Sequence, residues 1–204
     1  MKIYDISQEL FSCVVWPGDP APARHTLNSI DNGDLYNLTA FSMCAHNGTH
    51  IDAPSHFING AKSVDAIDLS KFIGEAFVAD VNGVVSQEDA RTIIQKARAF
   101  SPESAKRILL KGKTTVSIEA AKAFADEGID LIANESQTVG PEDAPMAVHK
   151  VLLGAEVVLL EGVRLAHVPE GVYLLNAAPI NLAGAEGAPC RAVLIDMNQV
   201  TSQL

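Results

Sequence analysis

A thirteen-residue segment, His46 to Ile58, limits how this chain can fold, because it holds three of the six histidines. Three histidines and one aspartate occupy even positions in it: His46, His50, Asp52 and His56. Side chains two residues apart leave an extended chain by the same face. At about 3.6 residues per turn, a helix would instead point Asp52 away from His50. The segment therefore predicts a strand or strand-like loop with one polar face.

The distance along such a strand creates a geometric difficulty for His46 and His50. At ~3.3 Å per residue, a straight chain holds these two side chains roughly 13 Å apart. They cannot share one metal ion unless the backbone bends between them. Gly48 lies between them and can adopt backbone angles closed to other residues, so we expect a bulge or turn there.

The residue types in this segment are those of a metal site. Imidazoles and carboxylates bind zinc, and also manganese or iron(II). The alternative is a solvated strand carrying unrelated polar residues, which three histidines and an aspartate on one face make the weaker interpretation. His149 and Glu161, twelve residues apart, are candidate partners at the ends of a predicted helix and strand. A carboxylate can bridge two metals ~3.5–4 Å apart, although a solvated strand end is the usual setting of a residue like Glu161.

Three further side chains could take part in such a site. His25 and His167 are interpreted as surface or hydrogen-bonded structural histidines. Trp16 opens a turn-rich loop and could stack on an aromatic substrate, whereas a lone tryptophan more commonly fills a core.

Composition and charge exclude several classes of partner. The chain has 204 residues, 48% of them hydrophobic, which suits one domain spanning 1–204. Its net charge of −10 argues against nucleic acid and anionic membrane surfaces as partners. No apolar run reaches the ~18 residues of a spanning helix. Cys13, Cys44 and Cys190 form no CxxC pair, which predicts reduced thiols and a cytoplasmic location.

Hydrophobic periodicity predicts an α/β or α+β domain with a mixed sheet. Helices are expected after Ser86, after Ser117 and over Met146 to Leu153, each with a terminator or apolar stripe. Strands are expected over residues 2–6, 38–45, 76–81, 107–110, 129–133, 156–160, 172–176 and 191–195.

The histidine segment resembles the signature of the metal-dependent cyclase family, which includes bacterial kynurenine formamidases and isatin hydrolases. The matching pattern is His46-x-Gly48-Thr49-His50-x-Asp52-Ala53-Pro54-x-His56. The loop at residues 16–19 and the segment at 179–192 also resemble family segments. The resemblance implies a swivelling β/β/α fold and assembly as a homodimer or higher homo-oligomer. Residues 111–115 and 133–136 depart from the family pattern near the substrate pocket, which leaves the substrate open.

The resemblance also implies a role for each site residue. It implies a divalent metal, two per chain and zinc or manganese, with Asp52 reaching both ions and Glu161 bridging them. His56 matches the catalytic acid/base, and Trp16 matches a substrate-contacting aromatic residue. The metal ligands implied are His46, His50, Asp52, His149 and Glu161.

The leading hypothesis is a metal-dependent hydrolase that cleaves the carbon–nitrogen amide bond of a small molecule. An aryl formamide such as N-formylkynurenine, from tryptophan catabolism, is the expected substrate, with metal-activated water and His56 as acid/base. A second hypothesis is ring opening of a cyclic amide or lactone. A third, from another class, is a metal-binding protein without catalysis, which an additional uncommitted imidazole at His56 disfavours.

Overall fold

Thirteen strands and three α-helices follow one another along residues 1–197, the part of the chain that the computed structural model describes. The helices are α1 (Gln87–Phe100), α2 (Ile118–Asp126) and α3 (Met146–Gly154). The strands are β1 (Lys2–Asp5), β2 (Ala23–Asn28), β3 (Leu38–Ser42), β4 (His50–Asp52), β5 (Ile73–Asp80), β6 (Gly83–Val85), β7 (Arg107–Lys111), β8 (Thr114–Val116), β9 (Leu131–Asn134), β10 (Val158–Glu161), β11 (Gly171–Asn176), β12 (Gly187–Pro189) and β13 (Val193–Asp196).

Nine of these strands form one mixed sheet within the described range, in the order β1-β13-β11-β5-β7-β9-β10-β4-β12. The four central strands β5, β7, β9 and β10 are parallel, and the strands on either side are antiparallel. Parallel strands need crossover connections, which α1 and α2 supply between β5, β7 and β9, and α3 between β9 and β10. The carboxyl ends of the parallel strands therefore meet at one edge of the sheet.

The sheet separates two hydrophobic clusters, because successive side chains of a strand point to opposite faces. Phe77, Ile108 and Ile132 pack on the helix side, against Ile94 of α1 and Phe124 of α2. The neighbours of these strand residues pack on the other side, in a cluster that includes Val78, Leu109, Leu131, Phe72 and Ile51. Both faces of the central strands are buried, as a parallel sheet requires.

The helices begin where the sequence predicts them. Ser86 accepts a hydrogen bond from the backbone of Asp89, whose carboxylate in turn accepts from the Ser86 N–H, which makes a capping box. Ser117 caps α2 in the same way through Ala120 N–H. Among the helices of the described residues, none is long and apolar enough to cross a membrane.

The α/β class and the mixed sheet are confirmed. Two local predictions were wrong in extent. The strand expected over 38–45 stops at Ser42 and pairs with β2 in a separate hairpin. The histidine segment is extended only over β4, because Pro54 starts a short 3-10 helix, Pro54–His56.

The first and the last described strands lie side by side at one edge of the sheet, where β1 pairs with β13. The predicted single domain spans 1–204, and its last seven residues, 198–204, lie outside the described part. The single-domain prediction stays a prediction.

Candidate metal centre

Gly48 provides the bend that the histidine segment needs. Its φ of 68° lies in the left-handed region, which other residues rarely adopt. The turn brings the rings of His46 and His50 to 5.1 Å between centroids, far less than on a straight strand. The expected bend at Gly48 is confirmed.

His50 is oriented by its own backbone. Its Nδ1 lies 3.0 Å from the carbonyl oxygen of Gly48, so the Nδ1–H donates to that carbonyl. The other nitrogen, Nε2, faces two buried carboxylates, 3.3 Å from Asp52 Oδ1 and 3.7 Å from Glu161 Oε2. Because the Gly48 carbonyl engages Nδ1, Nε2 is the nitrogen that donates to Asp52 here and that a metal ion would bind after its proton is lost.

His149 and Glu161 reach the same point from the other half of the chain. Antiparallel pairing of β10 with β4 sets Glu161 directly opposite His50. His149 Nδ1 lies 2.9 Å from the carbonyl oxygen of Pro145, which again leaves Nε2 to face carboxylates. Its distances are 3.2 Å to Glu161 Oε1 and 3.6 Å to Asp52 Oδ2.

The donors form two overlapping groups that could hold metal ions. In each group, one nitrogen or oxygen atom from each residue lies within 4.8 Å of the others. Asp52 belongs to both groups, as the family resemblance implies, whereas Glu161, expected as a bridge between both ions, belongs only to the second. The first group is His46, His50 and Asp52, and the second is Asp52, His149 and Glu161.

The pKa values of the two buried carboxyls, Asp52 and Glu161, shift in opposite directions. Burial opposes ionisation of Asp52, yet hydrogen bonds from His46 and His50 outweigh it and hold its pKa well below the usual range. Burial raises the pKa of Glu161, and the negative charge of Asp52 raises it further against the opposing effect of His149. Asp52 and Glu161 are 1% and 2% exposed, so little solvent separates the two charges.

The imidazoles respond to the same charges. Burial disfavours the protonated form of His46, but its hydrogen bond to Asp52, at 2.8 Å, and nearby carboxylates raise its pKa to about 9. Burial also opposes protonation of His149, whose pKa is raised by its hydrogen bond to Glu161.

This donor set fits a divalent cation. Two carboxylates and three imidazoles converge here. No lysine or arginine within residues 1–197 lines the cavity to neutralise the charge of the carboxylates. Buried carboxylates without a cation are costly, and a metal ion supplies that positive charge. The mixture of nitrogen and oxygen donors suits zinc and manganese alike.

His56 lies beside the first group on the short 3-10 helix. Its ring stacks on that of His46 at 4.1 Å between centroids and contacts Phe57. Burial lowers the pKa of His56, and the charge of Asp52 only partly offsets this. His56 belongs to neither group of donors found among residues 1–197.

All seven predicted site residues line one cavity of about 280 Å³. Trp16 comes from the loop between β1 and β2. His25 and His167 are exposed and lie outside both donor groups, in agreement with their interpretation as structural histidines. The sequence did not single out Phe57, Gln137, Thr138 and Pro145, which also line the cavity.

Glu186 is a further residue that the sequence did not single out. Its Oε1 lies 3.3 Å from His46 Nε2, at the exposed side of the first group. It stands in a turn-like stretch just before β12, and only the pairing of β12 with β4 brings it to His46. No spacing in the sequence signals that contact.

The fold and these donors define a class of α/β protein with a buried centre for divalent metal. The family model "Putative cyclase" matches residues 4–141, more than half of the chain. The kynurenine formamidase of Salinibacter ruber is 34% identical over 96% of this chain and 98% of its own length. The chain belongs to the cyclase family. A kynurenine formamidase is a hydrolase, which is the class of enzyme that the sequence predicted for this chain.

Solved structures agree with the fold. A predicted metal-dependent hydrolase from Bacillus stearothermophilus superimposes with a TM-score of 0.77 at 27% identity, covering 95% of this chain and 97% of that chain. Isatin hydrolase A from Labrenzia aggregata, bound to benzyl benzoate, gives a TM-score of 0.80 at 21% identity, covering 95% and 93%. The second likeness concerns the fold alone.

Proposed function

We propose that this protein hydrolyses the carbon–nitrogen bond of an aryl formamide, with N-formylkynurenine of tryptophan catabolism as the leading substrate. One observation carries the proposal: an imidazole outside the donor groups, that of His56, stands beside two groups that share Asp52. A protein that only stores metal has no need of that imidazole. The name of the Salinibacter ruber relative supports the choice of substrate.

The donor groups would hold two divalent ions per chain, zinc or manganese. His46, His50 and Asp52 would hold the first, and Asp52, His149 and Glu161 the second. A bound divalent metal lowers the pKa of water from ~15.7 toward ~7 and polarises a carbonyl oxygen. Gly48 and Pro145 contribute the carbonyls that keep the Nε2 atoms of His50 and His149 turned inward.

His56 would move the proton. Because burial lowers its pKa, the imidazole is neutral at neutral pH and can accept a proton from the attacking water. Water adds to the formyl carbon, the carbon–nitrogen bond breaks, and His56 returns the proton to the departing amine. The products are formate and an arylamine.

Trp16 and Phe57 would contact the aryl group. Both line the cavity, where their flat side chains can stack on an aromatic ring or meet its edge. We expect a Trp16→Ala variant to raise KM for an aryl formamide while the metal content stays unchanged.

We also propose that the protein is a cytoplasmic homodimer or higher homo-oligomer. The three cysteines are free, which suits a reducing compartment. The β2–β3 hairpin exposes Leu35, Tyr36 and Phe41, apolar side chains that a second copy could cover. Light scattering on the purified protein measures the oligomeric state.

The decisive experiment combines metal analysis with an assay of two amides. We expect reconstituted protein to carry metal, to hydrolyse N-formylkynurenine in preference to isatin, and to lose activity with a chelator. Preference for isatin would instead indicate that the protein opens a cyclic amide. Metal binding without hydrolysis of either amide would leave a non-catalytic protein and overturn the proposal.

A further inference from the structure

The cavity contains one hydroxyl group among its lining residues, that of Thr138. Thr138 is 3% exposed, and its Oγ1 has no hydrogen-bond partner anywhere in residues 1–197. Burying a hydroxyl without a partner costs free energy, so the group weakens the folded protein where it stands. A ligand in the cavity would supply the missing partner.

The backbone around Thr138 is held rigidly next to the donors. The Asn134 side-chain amide donates to the carbonyl oxygen of Thr138 at 2.7 Å. The following N–H, of Val139, donates to Glu161 Oε1 at 2.8 Å. The hydroxyl is therefore placed by the same loop that positions a candidate metal ligand, which is the arrangement that a reacting group needs.

Two other polar side chains of the lining have hydrogen-bond partners, and the Oε1 of Gln137, unpartnered within the described part of the chain, is an acceptor that cannot donate. The Gln137 side chain donates to the carbonyl oxygen of Gly48 at 3.2 Å, and the Cys44 thiol contacts Asp19. The buried carboxylates of Asp52 and Glu161 repel negative charge. Beside the divalent ions that the donor groups would hold, a neutral donor would further stabilise a substrate oxygen that becomes negative, and the buried Thr138 hydroxyl has no other partner within the described residues.

We propose that the Thr138 hydroxyl donates a hydrogen bond to the carbonyl oxygen of the amide substrate, as a further catalytic residue. This inference rests on the proposed hydrolysis of an amide. Negative charge develops on that oxygen as water adds to the carbon, so the bond strengthens in the transition state. Its loss should lower kcat and kcat/KM together, with little change in KM.

The test uses Thr138→Val, which keeps the shape of the side chain and removes the hydroxyl. We expect kcat for the aryl formamide to fall roughly 10- to 100-fold. This range is at or below the roughly 10²- to 10³-fold loss seen when one hydrogen-bond donor to such an oxygen is removed. Metal content should stay equal to that of the original protein, and Tm should be unchanged or about 2–4 °C higher. Thr138→Ser, which keeps the hydroxyl, should retain most of kcat.

Thr114→Val is the matched control. Thr114 is also buried, at 6% exposure, and its Oγ1 also lacks a partner within the described chain, but it lines a different cavity, with Lys113 and Glu119. Its removal should leave kcat unchanged. A Thr138→Val protein with undiminished kcat, or an equal loss in Thr114→Val, overturns the proposal.

A binding measurement separates this proposal from the proposed function. If the original protein hydrolyses neither N-formylkynurenine nor isatin, the proposed function fails. Calorimetric titration with formate, the carboxylate product of formamide hydrolysis, then tests the hydroxyl directly. Weaker binding by Thr138→Val than by Thr114→Val supports the contact, whereas equal affinity, or no binding by the original protein, overturns it.

Discussion

The two donor groups of the centre differ in exposure and in their origin along the chain. The first comes from a single segment and opens toward solvent at His46, whose side chain is 14% exposed and faces the half-exposed Glu186. The second joins Asp52 to residues from α3 and β10, with all three buried. The local segment therefore supplies the solvent-facing side of the centre, and long-range strand pairing supplies its buried side. Substitutions in the two groups, and first in Asp52, which both share, can test this division.

Removing Asp52 should have the largest effect, because it breaks both groups at once. In Asp52→Ala we expect metal content to fall close to zero and kcat/KM to drop at least about a hundredfold, more than the loss of an indirect partner. Elemental analysis and steady-state kinetics on the same preparation measure both. Retention of metal at the original stoichiometry would show that the groups do not depend on this carboxylate.

Removing His56 should separate proton transfer from metal binding. In His56→Ala we expect metal content to stay nearly intact and kcat to fall about 10²- to 10⁴-fold, the usual contribution of a general acid/base. Elemental analysis again accompanies the kinetics. Full activity in this variant would remove His56 from the mechanism.

Changing Glu161 should weaken metal binding by the second, buried group and leave metal binding by the first group unchanged. Glu161→Gln keeps the size of the side chain and an acceptor for Val139 N–H, but it removes the negative charge. We expect the second ion to bind about 10- to 100-fold more weakly, so that metal titration shows one strong and one weak site. Equal weakening of both sites would mean that the groups act as a unit.

Changing Glu186 should have the smallest effect, and it should alter metal binding only by the first group, which faces solvent at His46. Glu186→Gln removes the exposed partner that lies 3.3 Å from His46 Nε2. Exposed ion pairs contribute about 0–1 kcal/mol, so the affinity of the first ion should change less than about fivefold. Competition with a chelator measures the affinity of each ion, and Glu161→Gln, which should affect the second ion, is the comparison. If Glu186→Gln weakened the first ion as much as Glu161→Gln weakens the second, the exposed side of the centre would matter for metal binding as much as the buried side.

Much of the site was predictable because its residues carry distinctive chemistry at short spacing. Even positions placed His46, His50 and Asp52 on one face, and the distance between the two histidines required a bend at Gly48. The caps of α1 and α2 were predictable for a similar reason, since Ser86 and Ser117 bond to backbone only three residues away.

The residues that sequence reasoning missed act through contacts between distant strands and loops. Glu186 reaches His46 only because β12 pairs with β4, and Thr138 lines the cavity because its loop bonds to Glu161. Neither residue stands in a pattern that predicts chemistry. The extent of the β2–β3 hairpin was also missed, because its exposed strands lack a buried face with a clear alternation.

The ligand types, the bend at Gly48 and the family could all be predicted from the sequence, since they depend on residue identity and local backbone geometry. The contacts between individual carboxylates and imidazoles follow from the tertiary fold. The register of β10 against β4 sets Glu161 opposite His50, and the Pro145 carbonyl turns His149 toward both carboxylates. The physical reason is that strand pairing joins residues more than a hundred positions apart, at distances of a few ångströms that spacing along the chain does not encode.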